Sequence, residues 1–194
     1  MIITEPKWKS YVVETIKPIF TLKLCKEIID LSSTLKKEQG KIGHVGKEVG
    51  DNDKKSRQST ISWIDFNKMQ PMYDDLIYLV KKINRNHFGF SNNIQITEKA
   101  QVAEYSKGQF YHWHTDIYID MDIEPPVRKL SMTLLLNDPS EFEGGNLEIA
   151  GKNMSPMKQG HAAIFASFLQ HRVTPVTKGV RKSLVVWFSG EPFK

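Results

Sequence analysis

The chain has 194 residues, one domain's worth, and its 40% hydrophobic and 25% charged content is globular and excludes a disordered protein. A single cysteine, Cys25, excludes an intrachain disulfide and a cysteine-based metal cluster. The net charge of +5 permits an acidic partner or an anionic small molecule without demanding either. Part of the excess sits in Lys36, Lys37, Lys41, Lys47, Lys54, Lys55 and Arg57, a pattern of a solvated face and loop more than of a nucleic-acid stripe.

No apolar run approaches the roughly 20 residues of a membrane span. The opening residues MIITEPKWKS lack the apolar stretch of a signal peptide, so the expected location is the cytoplasm. A first helix is expected from about Thr21 to Lys37, because Leu24, Ile28, Leu31 and Leu35 recur at helical spacing. Cys25 widens that stripe and reads as a small core residue. The stretch from Gly40 to Ser59 is polar, rich in Gly, Lys and Asp, and without period. It reads as a mobile loop, either a lid over a site or an insertion without a role. A second helix is expected from about Gln70 to Asn86, on the spacing of Tyr73, Leu76, Ile77, Val80 and Ile83.

Beyond Phe90 the period shortens. Strands are expected at Ile94–Thr97, Gln101–Tyr105, Ile117–Ile119, Leu130–Leu136, Asn146–Ile149, Ala162–Phe165, Arg172–Val173 and Lys182–Phe188, separated by Gly and Pro turns. Short strands at this spacing point to a β-sandwich or jelly roll and away from a βαβ sheet. The expectation is one domain over residues 1–194, helical to about residue 90 and jelly-roll from about 91.

The densest chemical signal is Tyr111-His112-Trp113-His114-Thr115-Asp116. In an extended chain, side chains two apart share a face, so His114 with Asp116, or His112 with His114, can meet one metal. His171 lies far downstream. Two imidazoles and one carboxylate form a facial triad with open positions, which suits Fe(II). Arg181 follows His171 by ten residues. If the chain turns back near Val176, the two fall opposite each other in a hairpin, and Arg181, Ser183, Val185 and Trp187 share one face. A buried guanidinium there would pair with the carboxylate of a bidentate organic acid.

The pattern Tyr105-x-x-Gly108-x-x-Tyr111-x-x-His114-x-Asp116 resembles the prolyl 4-hydroxylase type of Fe(II)/2-oxoglutarate-dependent dioxygenases. The segment Arg128 to Pro139, the run Glu143-Gly-Gly-Asn-Leu-Glu148 and the run from His171 to Arg181 resemble the bacterial PKHD-type hydroxylases of that superfamily. The resemblance spans roughly Gln101 to Phe188. It implies a double-stranded β-helix, or jelly roll, with flanking N-terminal helices.

Residue by residue, it implies that His114, Asp116 and His171 bind Fe(II) and that Arg181 holds the distal carboxylate of 2-oxoglutarate. Tyr105 would hydrogen-bond the co-substrate, Ser131 would assist the same carboxylate, and Trp187 would wall the pocket. Dioxygen is the second co-substrate and ascorbate the expected reductant. Asp116 favours hydroxylation, because related halogenases lack this carboxylate. Nucleic-acid demethylases of the superfamily carry Arg-x-Asn-x-Thr-x-Arg from the co-substrate arginine, whereas this chain reads Arg181-Lys-Ser-Leu-Val-Val-Trp, so a nucleic-acid partner is not expected. The implied substrate is a prolyl residue in a peptide or protein. The alternatives are a free amino acid or other small molecule, or a jelly-roll module that binds metal without turnover. His112 is held as a residue on the substrate side or one that backs the metal ligands, and Tyr111 and Trp113 are expected to point away from His114. Tyr118 flanks the same motif, His161 reads as a strand-edge residue, and His44 and His87 read as surface residues.

Overall fold

The computed structural model describes residues 11–41, 55–90, 93–117, 126–152, 154 and 157–192. In chain order the elements are β1 (Val12–Glu14), α1 (Leu22–Thr34), β2 (Glu38–Gln39), β3 (Arg57–Gln58), β4 (Thr60–Ile64), α2 (Gln70–Ile83), β5 (Ala100–Ser106) and β6 (Phe110–His114). They continue with β7 (Val127–Leu135), β8 (Phe142–Gly144), β9 (Leu147–Ile149), β10 (Ala162–Ala166), β11 (His171–Val173) and β12 (Val176–Gly190).

Two antiparallel sheets result. The larger runs β1-β10-β7-β12-β5-β4-β2, with β8 paired to the start of β12, and the smaller runs β3-β6-β11-β9. This is the expected jelly roll with helices outside it.

Strand alternation divides the larger sheet cleanly. Val102, Leu130, Met132, Leu134, Ile164, Leu184, Val186 and Phe188 join Cys25 and Ile28 of α1 and Met72, Tyr73, Leu76 and Val80 of α2 in one buried cluster. Truncating any one large member to alanine would cost about 2–5 kcal/mol. The alternate residues, among them Gln101, Tyr105, Thr133, Arg181, Ser183, Val185 and Trp187, line a cavity on the other side. Thr21 caps α1, its hydroxyl accepting from Leu24 N at 3.1 Å. The Tyr73 hydroxyl ties α2 to the sheet, donating to Ile64 O at 2.5 Å and accepting from Ala100 N at 2.7 Å.

The first 90 residues are less purely helical than expected, because β1 to β4 extend both sheets. Helix α2 ends in a π turn at Asn84–Phe88, closed by Gly89 at φ 70°. Ile94–Thr97 is no strand; one bridge, Gln95 to Ser189, is all it forms. Ile117 lies in a bend, and Tyr118 and Ile119 lie outside the described residues, as do 42–54 of the expected loop. The far end of that loop is ordered: Arg57–Gln58 pairs with β6, and Ser59 is buried. Among the described residues no helix is long and apolar enough to cross a membrane.

Candidate metal and co-substrate site

Strands β6 and β11 pair His114 with His171, and two residues further along β11 pair Val173 with Tyr111. Three steps on β6 therefore match two on β11, which is a β-bulge. The bulge overturns the simple alternation expected here. His114 and Tyr111 turn to the same side, and Tyr111 stacks on the His114 ring at 3.4 Å and 13° inside the cavity. His112 turns outward, its ring nitrogen Nδ1 accepting from Trp113 N at 2.7 Å. Trp113 stays at the surface beneath the Arg172 guanidinium.

His114, Asp116 and His171 converge, with one ligand atom from each lying within 4.8 Å of the others. Asp116 oxygens stand 3.7 Å from His114 Nε2 and 3.4 Å from His171 Nε2, too far for hydrogen bonds and suited to a shared ion. The Nδ1–H of His114 donates to His112 O at 2.8 Å, and that of His171 to Leu169 O at 3.0 Å. A carbonyl only accepts, so both rings carry a proton on Nδ1 and turn Nε2 toward Asp116. Burial, and then the neighbouring His171, hold the His114 imidazole far below its ordinary pKa, so it stays neutral. Burial alone would raise the Asp116 carboxyl. His171, His114, Arg128 and the Ser131 hydroxyl outweigh it and keep the carboxylate ionised. Two imidazoles and one carboxylate form a donor set that fits a divalent first-row metal.

The Ser131 hydroxyl, expected beside the co-substrate carboxylate, is spent on this carboxylate. It donates to Asp116 Oδ2 at 2.6 Å and lies 3.0 Å from Ser167 Oγ. Backbone bonds from Asp116 N to Ser167 O and from Ser167 N to Lys129 O fix the same corner. Thr133, two residues further along β7, lines the cavity itself.

Arg181 lies on the larger sheet, paired with Tyr105, and not across a hairpin from His171. The expected hairpin fails because Thr174-Pro175 carries the chain from the smaller sheet to the larger, where β12 pairs with β5, β7 and β8. The two residues meet across the barrel interior instead, lining one cavity of about 300 Å³. Arg181 is 2% exposed. It donates to Ser183 Oγ at 2.8 Å and lies 5.7 Å over the Tyr105 ring, with no carboxylate partner among the described residues. Gly145, at φ 62°, makes room for it; a Cβ there would sit 2.9 Å from Arg181 Cδ. A buried unpaired cation is costly, and an anionic ligand removes the cost.

Trp187 lines the same cavity, and its indole N–H is buried without a hydrogen-bond partner among the described residues. Arg128 lies 4.0 Å over the Trp187 ring and is bound by Glu98, with Nε to Oε1 at 2.6 Å. Sequence reasoning gave no role to Arg57, Trp63, Gln101, Arg128 or Thr133, all of which line the cavity. Odd-numbered spacing along the strands was the only available signal for Gln101 and Thr133.

Residues 100–189 match the family model of the 2OG-Fe(II) oxygenase superfamily. The chain is 29% identical over 140 residues to a PKHD-type hydroxylase of Psychrobacter sp. (strain PRwf-1), covering 68% of this chain and 54% of that protein. It is 35% identical over 124 residues to a PKHD-type hydroxylase of Klebsiella pneumoniae, covering 60% and 55%. The chain thus spans about half the length of the curated relatives it matches. Its fold is similar to that of the viral collagen prolyl hydroxylase of Paramecium Bursaria Chlorella virus-1, with a TM-score of 0.72 at 19% identity over 94% of this chain and 97% of that one. A His-Asp-His set that converges on a jelly roll and a sequence match over the same strands coincide, and it is over residues 100–189 that the chain is similar to the 2OG-Fe(II) oxygenase superfamily.

Proposed function

We propose that this chain is an Fe(II)- and 2-oxoglutarate-dependent dioxygenase that hydroxylates a prolyl residue in a peptide or protein. The observation that carries the reading is one cavity holding both a His114-Asp116-His171 donor set and a buried guanidinium, Arg181, without a carboxylate partner among the described residues. His114, Asp116 and His171 hold the metal. Arg181 pairs with the distal carboxylate of 2-oxoglutarate, steadied by Ser183, and Tyr105 beside it hydrogen-bonds the co-substrate. Ser131 acts through Asp116, orienting the ligand carboxylate, and its neighbour Thr133 offers a hydroxyl to the co-substrate. Iron(II) bound there, with 2-oxoglutarate and dioxygen, supplies the oxidising power that an unactivated C–H bond demands.

The peptide assignment is supported by the prolyl hydroxylase fold and by the indole N–H of Trp187. A buried donor without an acceptor costs about 1–3 kcal/mol, and a peptide carbonyl would satisfy it. Trp63, 6.2 Å from Trp187, widens this wall into an aromatic surface for a proline ring.

The test is incubation of the purified chain with Fe(II), 2-oxoglutarate and ascorbate, following succinate release and the mass of proline-containing peptides. Succinate release that Asp116→Ala abolishes, together with a peptide gaining one oxygen, is the expected result. Metal binding without succinate release would identify a non-catalytic module. Oxygen gained by a free amino acid or small molecule and by no peptide would reject the peptide assignment and leave the dioxygenase standing.

A further inference from the structure

Arg57 brings a second guanidinium to the cavity, and neither metal nor co-substrate accounts for it. Its side chain is 7% exposed. Nε–H donates to Ser59 Oγ at 2.8 Å, Nη1 to Lys41 O at 3.2 Å, and Nη2 to Gln101 Oε1 at 2.8 Å. The guanidinium lies 4.5 Å over the Tyr111 ring, the ring that stacks on His114. Every one of these partners is neutral. Arginine and the other charged residues are seldom buried this deeply without a counter-ion, and no carboxylate among the described residues pairs with this one.

The position is built for this residue. At Gly40 a Cβ would lie 2.6 Å from Arg57 Nε and 2.2 Å from Ser59 Oγ, so the backbone passes only because it bears no side chain. Three of the five N–H donors are engaged, which leaves one on each terminal nitrogen.

Charge matching across the cavity singles out Arg57 among the buried charges. Arg128 is answered by Glu98, and Glu38 at the cavity's edge by Lys36. Arg181 is matched by the distal carboxylate of 2-oxoglutarate, and the metal by Asp116 and the other end of the co-substrate. Lys41 also lines the cavity but is exposed, so Arg57 is the buried cation that remains, one aromatic ring away from a metal-binding imidazole, where the substrate must lie.

We infer that the substrate carries a carboxylate close to the carbon that is hydroxylated, and that Arg57 recognises it; the inference rests on the dioxygenase reading above. The carboxylate is the C-terminal α-carboxylate of a target residue that ends its peptide, or the side chain of an adjacent Asp or Glu. Both present the same planar anion to a guanidinium with donors to spare.

The experiment uses the wild-type chain with Fe(II), 2-oxoglutarate and pooled tripeptides of all twenty residues. The pools are prepared with free or amidated C-termini, and with or without Asp and Glu, and are read by mass spectrometry while succinate is followed in parallel. Oxygen gain confined to carboxylate-bearing pools is expected; the amidated acidic pool and the free-acid neutral pool separate side-chain from terminal carboxylate. Arg57→Gln should raise KM for the preferred peptide by about thirty-fold or more, the loss of one buried charge-assisted pairing. It should leave KM for 2-oxoglutarate within about twofold, and Arg57→Lys should restore part of the loss. The pool comparison stands on wild-type protein even if Arg57→Gln fails to fold. Equal oxygenation of neutral amidated peptides, an unchanged KM in a folded Arg57→Gln, or 2-oxoglutarate consumption with no product from any pool would overturn the inference alone. Absence of 2-oxoglutarate consumption in the wild type would overturn the dioxygenase reading and this one with it.

Discussion

Replacing Arg181 with methionine separates a functional buried charge from a structural one, because the two predict opposite signs. Arg181 is among the largest fully buried side chains and has no carboxylate partner among the described residues. Removing such a charge in favour of an apolar side chain of similar length is neutral or stabilising by about 1–4 kcal/mol. Co-substrate binding loses a charge-assisted pairing of about 2–5 kcal/mol, or about 30-fold to 4,000-fold in Kd at 1.4 kcal/mol per decade. The assay is calorimetric melting with Mn(II) in place of iron, with and without 2-oxoglutarate at about one hundred times the wild-type Kd. At that concentration the wild type gains about 2.7 kcal/mol. For a chain of this size that is a rise of about 5–11 °C, at about 2–4 °C per kcal/mol. Arg181→Met should melt no lower than wild type without ligand, and its ligand-induced rise should fall to about 3 °C or less. A variant that melts several degrees lower while keeping the full rise would show that Arg181 is a structural residue and refute the assignment.

Ser131→Ala removes the 2.6 Å bond to Asp116 Oδ2 and should weaken Mn(II) affinity by about 10–100-fold in a direct titration; unchanged affinity would refute its positioning role. Gly145→Ala places a Cβ 2.9 Å from Arg181 Cδ at φ 62°, so about 1–3 kcal/mol of stability and a several-fold rise in KM for 2-oxoglutarate should follow together. A stability loss without a KM change would mean that Gly145 serves the turn alone. Tyr73→Phe leaves Ile64 O and Ala100 N without their shared hydroxyl, and the urea midpoint should report a loss of about 1–3 kcal/mol with activity constants unchanged.

Much of this architecture was legible in the chain because its signals are local. The helical stripes of α1 and α2 and the two-residue alternation of β5, β7, β10 and β12 follow from side-chain periods of 3.6 and 2. The same alternation put Arg181, Ser183, Val185 and Trp187 on one face, and the cavity bears this out. The spacing of Tyr105, Gly108, Tyr111, His114 and Asp116 carried the metal-site expectation through family resemblance, and His114, Asp116 and His171 do converge.

Decisions that depend on which strand pairs with which were not legible. No local rule marks the bulge that turns Tyr111 inward and His112 outward, since it exists only in the register of β6 against β11. The apparent hairpin between His171 and Arg181 dissolved because Pro175 lies between strands of different sheets, so the pair meets through the barrel interior. Arg57 read as one charge among many in a polar stretch. Its burial arises from Gln101, 44 residues away, and from the bare backbone of Gly40. Local periodicity determines which face a side chain occupies; only long-range pairing, set by the energy of closing two sheets over one interior, decides what it faces.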